Sequence, residues 1–113
     1  MTSRVKDWTA TLDSRNVLDV TMEIDDGHVV AFSVNYRARI REEWVEVVRY
    51  DTAHGHLHVH ENWKAGEDAI TSLEDEDDPD PPYNDALTYA EEDLKANWQE
   101  YREKMENEVI ESD

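Results

Sequence analysis

From Leu18 to Asp25 apolar and polar residues alternate without a break, with Leu18, Val20, Met22 and Ile24 in one phase and Asp19, Thr21, Glu23 and Asp25 in the other. Successive side chains of an extended chain point to opposite faces, so a period of two demands a strand with one buried face, and no helix satisfies it. Asp25, Asp26 and Gly27 supply a hairpin turn. The alternation then resumes with His28, Val30, Phe32, Val34, Tyr36, Ala38 and Ile40 on one face and Ser33, Asn35, Arg37 and Arg39 on the other. Further strands are predicted over 44–51, after the short Arg41-Glu42-Glu43 connection, and over 56–62, after a turn around His54 and Gly55. Trp8, Ala10 and Leu12 propose a shorter first strand. Residues 1–63 are thus expected to form an antiparallel β-meander of four to five strands.

The remainder reads differently. Residues 64–82 contain EDEDDPDPP, too charged and too proline-rich to pack, and are predicted to be an acidic linker. Beyond it Leu87, Ala90, Leu94, Trp98, Tyr101, Met105 and Val109 recur at three- and four-residue intervals, the stripe of a long helix over 83–111 with Asn84 or Asp85 as its cap. Sheet followed by helix predicts a single α+β domain over 1–113, with the helix stripe covering the apolar face of the meander. The alternative use of Trp98 and Tyr101 is contact with a partner chain. No internal repeat is present.

Of the 113 residues 29 are Asp or Glu and 11 are Lys or Arg, a formal charge of -18. A dense carboxylate coat suits a protein kept soluble in strong brine, where self-repulsion is screened over a few ångströms, as in an extreme halophile. The acidity is unevenly spread: residues 28–64 hold five basic and five acidic side chains, whereas 65–113 hold three basic and eighteen acidic. Arg37, Arg39, Arg41 and Arg49 all fall in the neutral segment, which implies a use for them. The absence of cysteine excludes disulfides and thiolate sites, so any metal must be held by His and carboxylate. No apolar run reaches the ~18 residues of a membrane span, and MTSRVKDWTA lacks an apolar signal core. The expected compartment is the cytoplasm, with no membrane partner.

Four of the five histidines lie in residues 49–60, RYDTAHGHLHVH. On a strand His56, His58 and His60 project from one face while Leu57 and Val59 point the other way. Two chemistries fit. Imidazoles spaced by two stand about 6 to 7 Å apart along the backbone and can close on zinc or another transition metal, with Asp51 or Glu61 completing the site. Alternatively, one imidazole of this face takes a proton from a ribose 2′-hydroxyl and another protonates the leaving oxygen of an RNA phosphodiester, with Arg49, beside Tyr50, stabilising charge on phosphorus and Arg37 and Arg39 as an RNA track. The bland reading is polar filler on a solvated strand. Against it, a protein this acidic would fill such a strand with Asp or Glu, and HGHLHVH has neither.

The order Arg-Tyr-Asp-x-Ala-His, followed closely by His-x-His, resembles the core motif of the TumE-like toxins of type II toxin and antitoxin pairs. The matching residues are Arg49, Tyr50, Asp51, Ala53 and His54, then His58 and His60. Thr52 stands where that motif has asparagine. The resemblance implies an RNA-cleaving enzyme that needs no metal, with Arg49, Tyr50, Asp51, His54, His58 and His60 as catalytic residues. It implies RNA and an antitoxin protein encoded nearby as partners, and a homodimer is a further expectation. The competing expectation is a non-enzymatic metal- or ligand-binding module built on His56, His58 and His60.

Overall fold

The computed structural model describes residues 3–52, 56–73 and 83–111, with side chains to 109. Six strands, β1 (Arg4–Asp13), β2 (Asn16–Asp25), β3 (His28–Ile40), β4 (Glu43–Asp51), β5 (His58–Glu61) and β6 (Ile70–Ser72), precede one helix, α1 (Tyr83–Glu111). The strands lie in one antiparallel sheet in chain order. The class is α+β, as the change from a two-residue to a 3.6-residue period predicts. The sheet has one strand more than expected, because β6 pairs with β5 inside the stretch read as linker. Residues 74–82, which hold the acidic proline-rich core of that linker, lie outside the described residues.

The hairpins show why the meander closes so tightly. Asp26 and Gly27 both adopt positive φ, 53° and 77°, the backbone that a two-residue turn needs to match the strand twist. Arg41 and Glu42 make the same kind of turn between β3 and β4 at φ 53° and 68°, without a glycine to ease it. At the β1–β2 turn Asp13 Oδ1 accepts from the Arg15 amide and from Asn16 Nδ2, both at 2.7 Å. These hydrogen bonds hold the Asp13 carboxyl below the usual carboxylate range.

One face of the sheet is covered by α1, which packs mainly on β3 and β4. Leu18, Val20, Val34, Tyr36, Val47, Ala90 and Leu94 are buried between the two layers. The helix is also tied by polar contacts along its length. Near its start Asn84 Oδ1 accepts from the Val29 amide at 2.9 Å, so Asn84 docks the helix on the sheet. At mid-length Asp93 accepts from the Tyr50 hydroxyl at 2.6 Å and the Tyr101 hydroxyl at 2.8 Å. Farther on, Arg102 donates to the Arg39 carbonyl at 2.9 Å and to Asn16 Oδ1 at 3.0 Å. Trp98 meets Tyr36 edge-on and Tyr101 stacks on Trp63, so both aromatic residues of the stripe are spent inside the chain. Among the described residues no helix is long and apolar enough to cross a membrane.

Candidate functional site

The opposite face of the sheet is polar, and strand register arranges it in rows. One row runs Thr9, Asp19, Asn35, Arg49, His60, Ile70 from β1 to β6, and the next runs Asp7, Thr21, Ser33, Asp51, His58, Ser72. A bulge creates this arrangement. Tyr36 pairs with Val48 but Arg37 pairs with Glu46, so Val47 is an extra residue on β4 and the face that each side chain takes changes phase there. Val47 and Val48 are both buried as a result, and Glu46, Arg49 and Asp51 all reach the open face. The consecutive valines of EVVR carry that signal in the sequence.

Within these rows Asp51, His58 and His60 come together, their nearest ligand atoms lying within 4.8 Å of one another. Asp51 and His58 are direct cross-strand partners, which places His58 Nε2 2.8 Å from Asp51 Oδ1. His58 Nδ1 lies 2.9 Å from the His56 carbonyl oxygen. Both ring nitrogens of His58 therefore face oxygen acceptors, and a neutral ring has only one N–H to offer. His60 lies beside it, the two ring centroids 4.7 Å apart. Burial, reinforced by the positive charge of Arg49 and by His58, lowers the His60 pKa and favours its neutral form.

Arg49 backs the cluster. Its Nε lies 2.9 Å from Asp51 Oδ2 and 3.2 Å from Glu46 Oε1. The N–H is aligned on neither oxygen, so the contacts are ionic rather than well-formed hydrogen bonds. They turn Asp51 Oδ2 toward Arg49 and leave Oδ1 toward the imidazoles.

Several sequence expectations change. His56 is exposed and precedes β5, which begins at His58 opposite Asp51; among the described residues the array on one face holds two histidines, and His56 contributes its carbonyl. Tyr50 points to the covered face, where its hydroxyl donates to Asp93. Burial, then Asp93, raises its pKa well above that of an ordinary phenol, so it is apart from the histidines and is no proton donor to them. Glu61, the other carboxylate considered, is paired with Lys64 at 3.0 Å on the covered side. Ala53 and His54 lie outside the described residues.

Arg37 and Arg39 do share the open face, but each has a carboxylate. Arg37 is paired with Asp19 and lies 5.1 Å from the Trp44 ring centroid, while Arg39 is 3.2 Å from Glu42. Two carboxylates escape a reading of the sequence: Asp19, whose pairing with Arg37 depends on cross-strand register, and Glu46, which the bulge at Val47 brings to the same face as Arg49. So does Asp93, a carboxylate beside the helix stripe that accepts from two tyrosines.

No match is found among curated proteins or among solved structures. A family model described as "Domain of unknown function (DUF7718)" matches residues 3–110, nearly the whole chain. The chain belongs to that family.

Proposed function

We propose that the chain is a metal-binding module whose ligands are Asp51, His58 and His60, with zinc or another divalent transition metal as the ion. The observation that carries the reading is the pair of oxygens facing the two nitrogens of His58. With Nδ1–H donating to the His56 carbonyl, Nε2 is aimed at a carboxylate oxygen 2.8 Å away, a hydrogen-bond pair that a metal taking the proton's place turns into two ligands. A metal-ligating histidine usually donates its other N–H to a carbonyl in this way, which fixes its tautomer and aim. Donors on one ion stand roughly 3 to 3.4 Å apart for bonds of about 2.0 to 2.1 Å. The Asp51 to His58 contact, at 2.8 Å, opens by a few tenths of an ångström to reach that range, and His60, within 4.8 Å, closes on the ion by a side-chain rotation. Two imidazoles and one carboxylate leave coordination positions for water or a ligand.

Metal-free RNA cleavage, as in TumE-like toxins, is the second reading, and the closeness of His58, His60 and Arg49 favours it. Its geometry is less apt. An acid and a base acting in line must flank the phosphate, whereas rings 4.7 Å apart leave no room for one between them. Arg37, Arg39 and Arg49 are each neutralised by a carboxylate, which leaves little attraction for a polyanion.

Isothermal titration with zinc in strong KCl, on wild type and on a His58→Ala, His60→Ala double variant, tests the proposal. One equivalent bound by the wild type, weakening as pH falls through the imidazole range and lost in the double variant, is expected. Equal binding by both proteins eliminates the site. RNA cleavage that survives EDTA and is abolished by Arg49→Ala would favour the second reading instead.

A further inference from the structure

The metal cluster borders a cleft on the same sheet face. β4 ends at Asp51 while β3 continues back to His28, so beyond Ser33 the β3 strand has no β4 neighbour. Thr52 turns the chain back against β3: its amide donates to the Phe32 carbonyl at 3.1 Å, and its hydroxyl accepts from the Phe32 amide at 3.0 Å. Among the described residues these strands border a cleft of about 340 Å³. Its lining includes the cross-strand row Val5, Glu23 and Ala31 and, in the adjoining row, Thr21, Ser33 and Asp51. Asp51 therefore belongs both to the cleft and to the metal cluster.

We infer that this cleft is the ligand compartment of the metal. It takes a small organic molecule that places an oxygen-donor head, of carboxylate or hydroxamate type, on the open positions of the ion and lays an apolar, ring-sized body over Val5 and Ala31. The inference rests on the metal reading above and deepens it. Three observations carry it. The shared Asp51 puts the mouth of the cleft at the ion. The volume lies at the lower end of the range for small-molecule sites, about 300 to 1,000 Å³, which suits a single ring and excludes a nucleic-acid strand. Among the described residues no lysine or arginine lines the cleft, while Glu23 does, so an anionic head is repelled everywhere except at the ion. That charge pattern fixes the orientation of the ligand, head toward Asp51 and uncharged body toward Glu23.

The test uses the full chain loaded with cobalt(II), whose visible bands report a change of ligands, titrated with benzohydroxamate and acetohydroxamate. The two share a chelating head and differ in the ring. After correction for their affinities toward free cobalt, benzohydroxamate should bind about tenfold more tightly, the effect of partly burying a phenyl group. Ala31→Leu, which fills the cleft, should leave cobalt affinity unchanged and abolish the preference. Val5→Ala, on the exposed edge strand, should weaken the preference with no threat to the core. Equal affinity for the two hydroxamates on cobalt-loaded wild type overturns the cleft assignment and leaves the metal site standing. A preference that survives in both variants overturns it as well. Failure of the wild type to bind cobalt overturns the metal reading, and the cleft assignment falls with it.

Discussion

The two faces of the sheet are made by the same strands and obey different rules. On the covered face packing decides each residue: Tyr36, Leu18 and Val34 are fully buried, and polar atoms there are matched, the Tyr36 hydroxyl with Asn16 and the Tyr50 and Tyr101 hydroxyls with Asp93. On the open face nothing in the fold demands histidine or aspartate, since serine, threonine or lysine would solvate the same strands. Yet it is there that polar atoms are imperfectly matched, with Asn35 Oδ1 buried without a hydrogen-bond partner and Arg49 Nε skewed from both its carboxylates. Imperfect local matching is expected where a site is kept for binding rather than for stability.

The comparison breaks most easily on stability. Leu94 is fully buried between α1 and the sheet, so Leu94→Ala should cost about 3 kcal/mol of unfolding free energy through lost transfer energy and the cavity left behind. His60→Ala, on the open face, should cost less than about 1 kcal/mol. Urea denaturation of both variants gives the contrast directly. If removing His60 proves as damaging as removing Leu94, the cluster is a structural element and the division between the faces fails.

The covered face was almost entirely legible from the sequence, because its information is periodic. The alternation of Leu18 to Ile24 and of Phe32 to Ile40 and the stripe from Leu87 to Val109 each fix a burial pattern with no knowledge of any neighbour. The expected burial of His28 and Val30, in contrast, is overturned by a bulge opposite Glu23 and Ile24 that turns Val29 to the core and leaves Val30 exposed. The open face was legible only in part. His58 and His60 could be placed together from their spacing, but their meeting with Asp51 depends on where β4 stops and on the bulge at Val47, which are properties of pairing between strands. Tyr50 was misplaced for a related reason: in a contiguous Arg-Tyr-Asp motif adjacent residues look like neighbours, whereas on a strand they face opposite ways. β6 was missed because three residues are too few to show a period.

A smaller effect is expected at the β3–β4 turn, and it tests whether the site depends on the exact hairpin. Glu42 sits at φ 68°, a region that costs a residue with a side chain roughly 1 kcal/mol or more and costs glycine little. Glu42→Gly relieves that strain, but it loosens the unfolded chain and removes an exposed ion pair with Arg39 that is worth little. The net result should be a gain of about 0.5 kcal/mol, read as a higher urea midpoint. Zinc affinity should not change, because the turn lies at the end of β3 away from Asp51. A loss of affinity would show that the rows of the open face shift with the hairpin and that the two faces are coupled.

The smallest effect is electrostatic and concerns His60 in the metal-free protein. The groups around it are Arg49 and His58, which disfavour its proton, and Asp51 and Glu46, which favour it; burial is the largest influence and lowers its pKa below the ordinary 6.5. Between that lowered pKa and 6.5 the unfolded chain binds a proton that the native ring refuses, so stability falls as pH drops through this window. Above it the ring is neutral in both states and contributes no slope. The ring is only partly buried, so the effect is modest, and it is read as the difference between wild type and His60→Asn, in which the carboxylate titrations largely cancel. Wild type should lose more stability than the variant between neutral and mildly acid pH. The same preference for the neutral ring should let His60 remain a competent metal ligand to lower pH than an ordinary imidazole, so zinc should protect the wild type most strongly inside that window. If wild type and variant lose stability in parallel, partial burial beside Arg49 and His58 does not favour the neutral His60 ring, and the reading of His60 as a ligand held ready for metal loses its support.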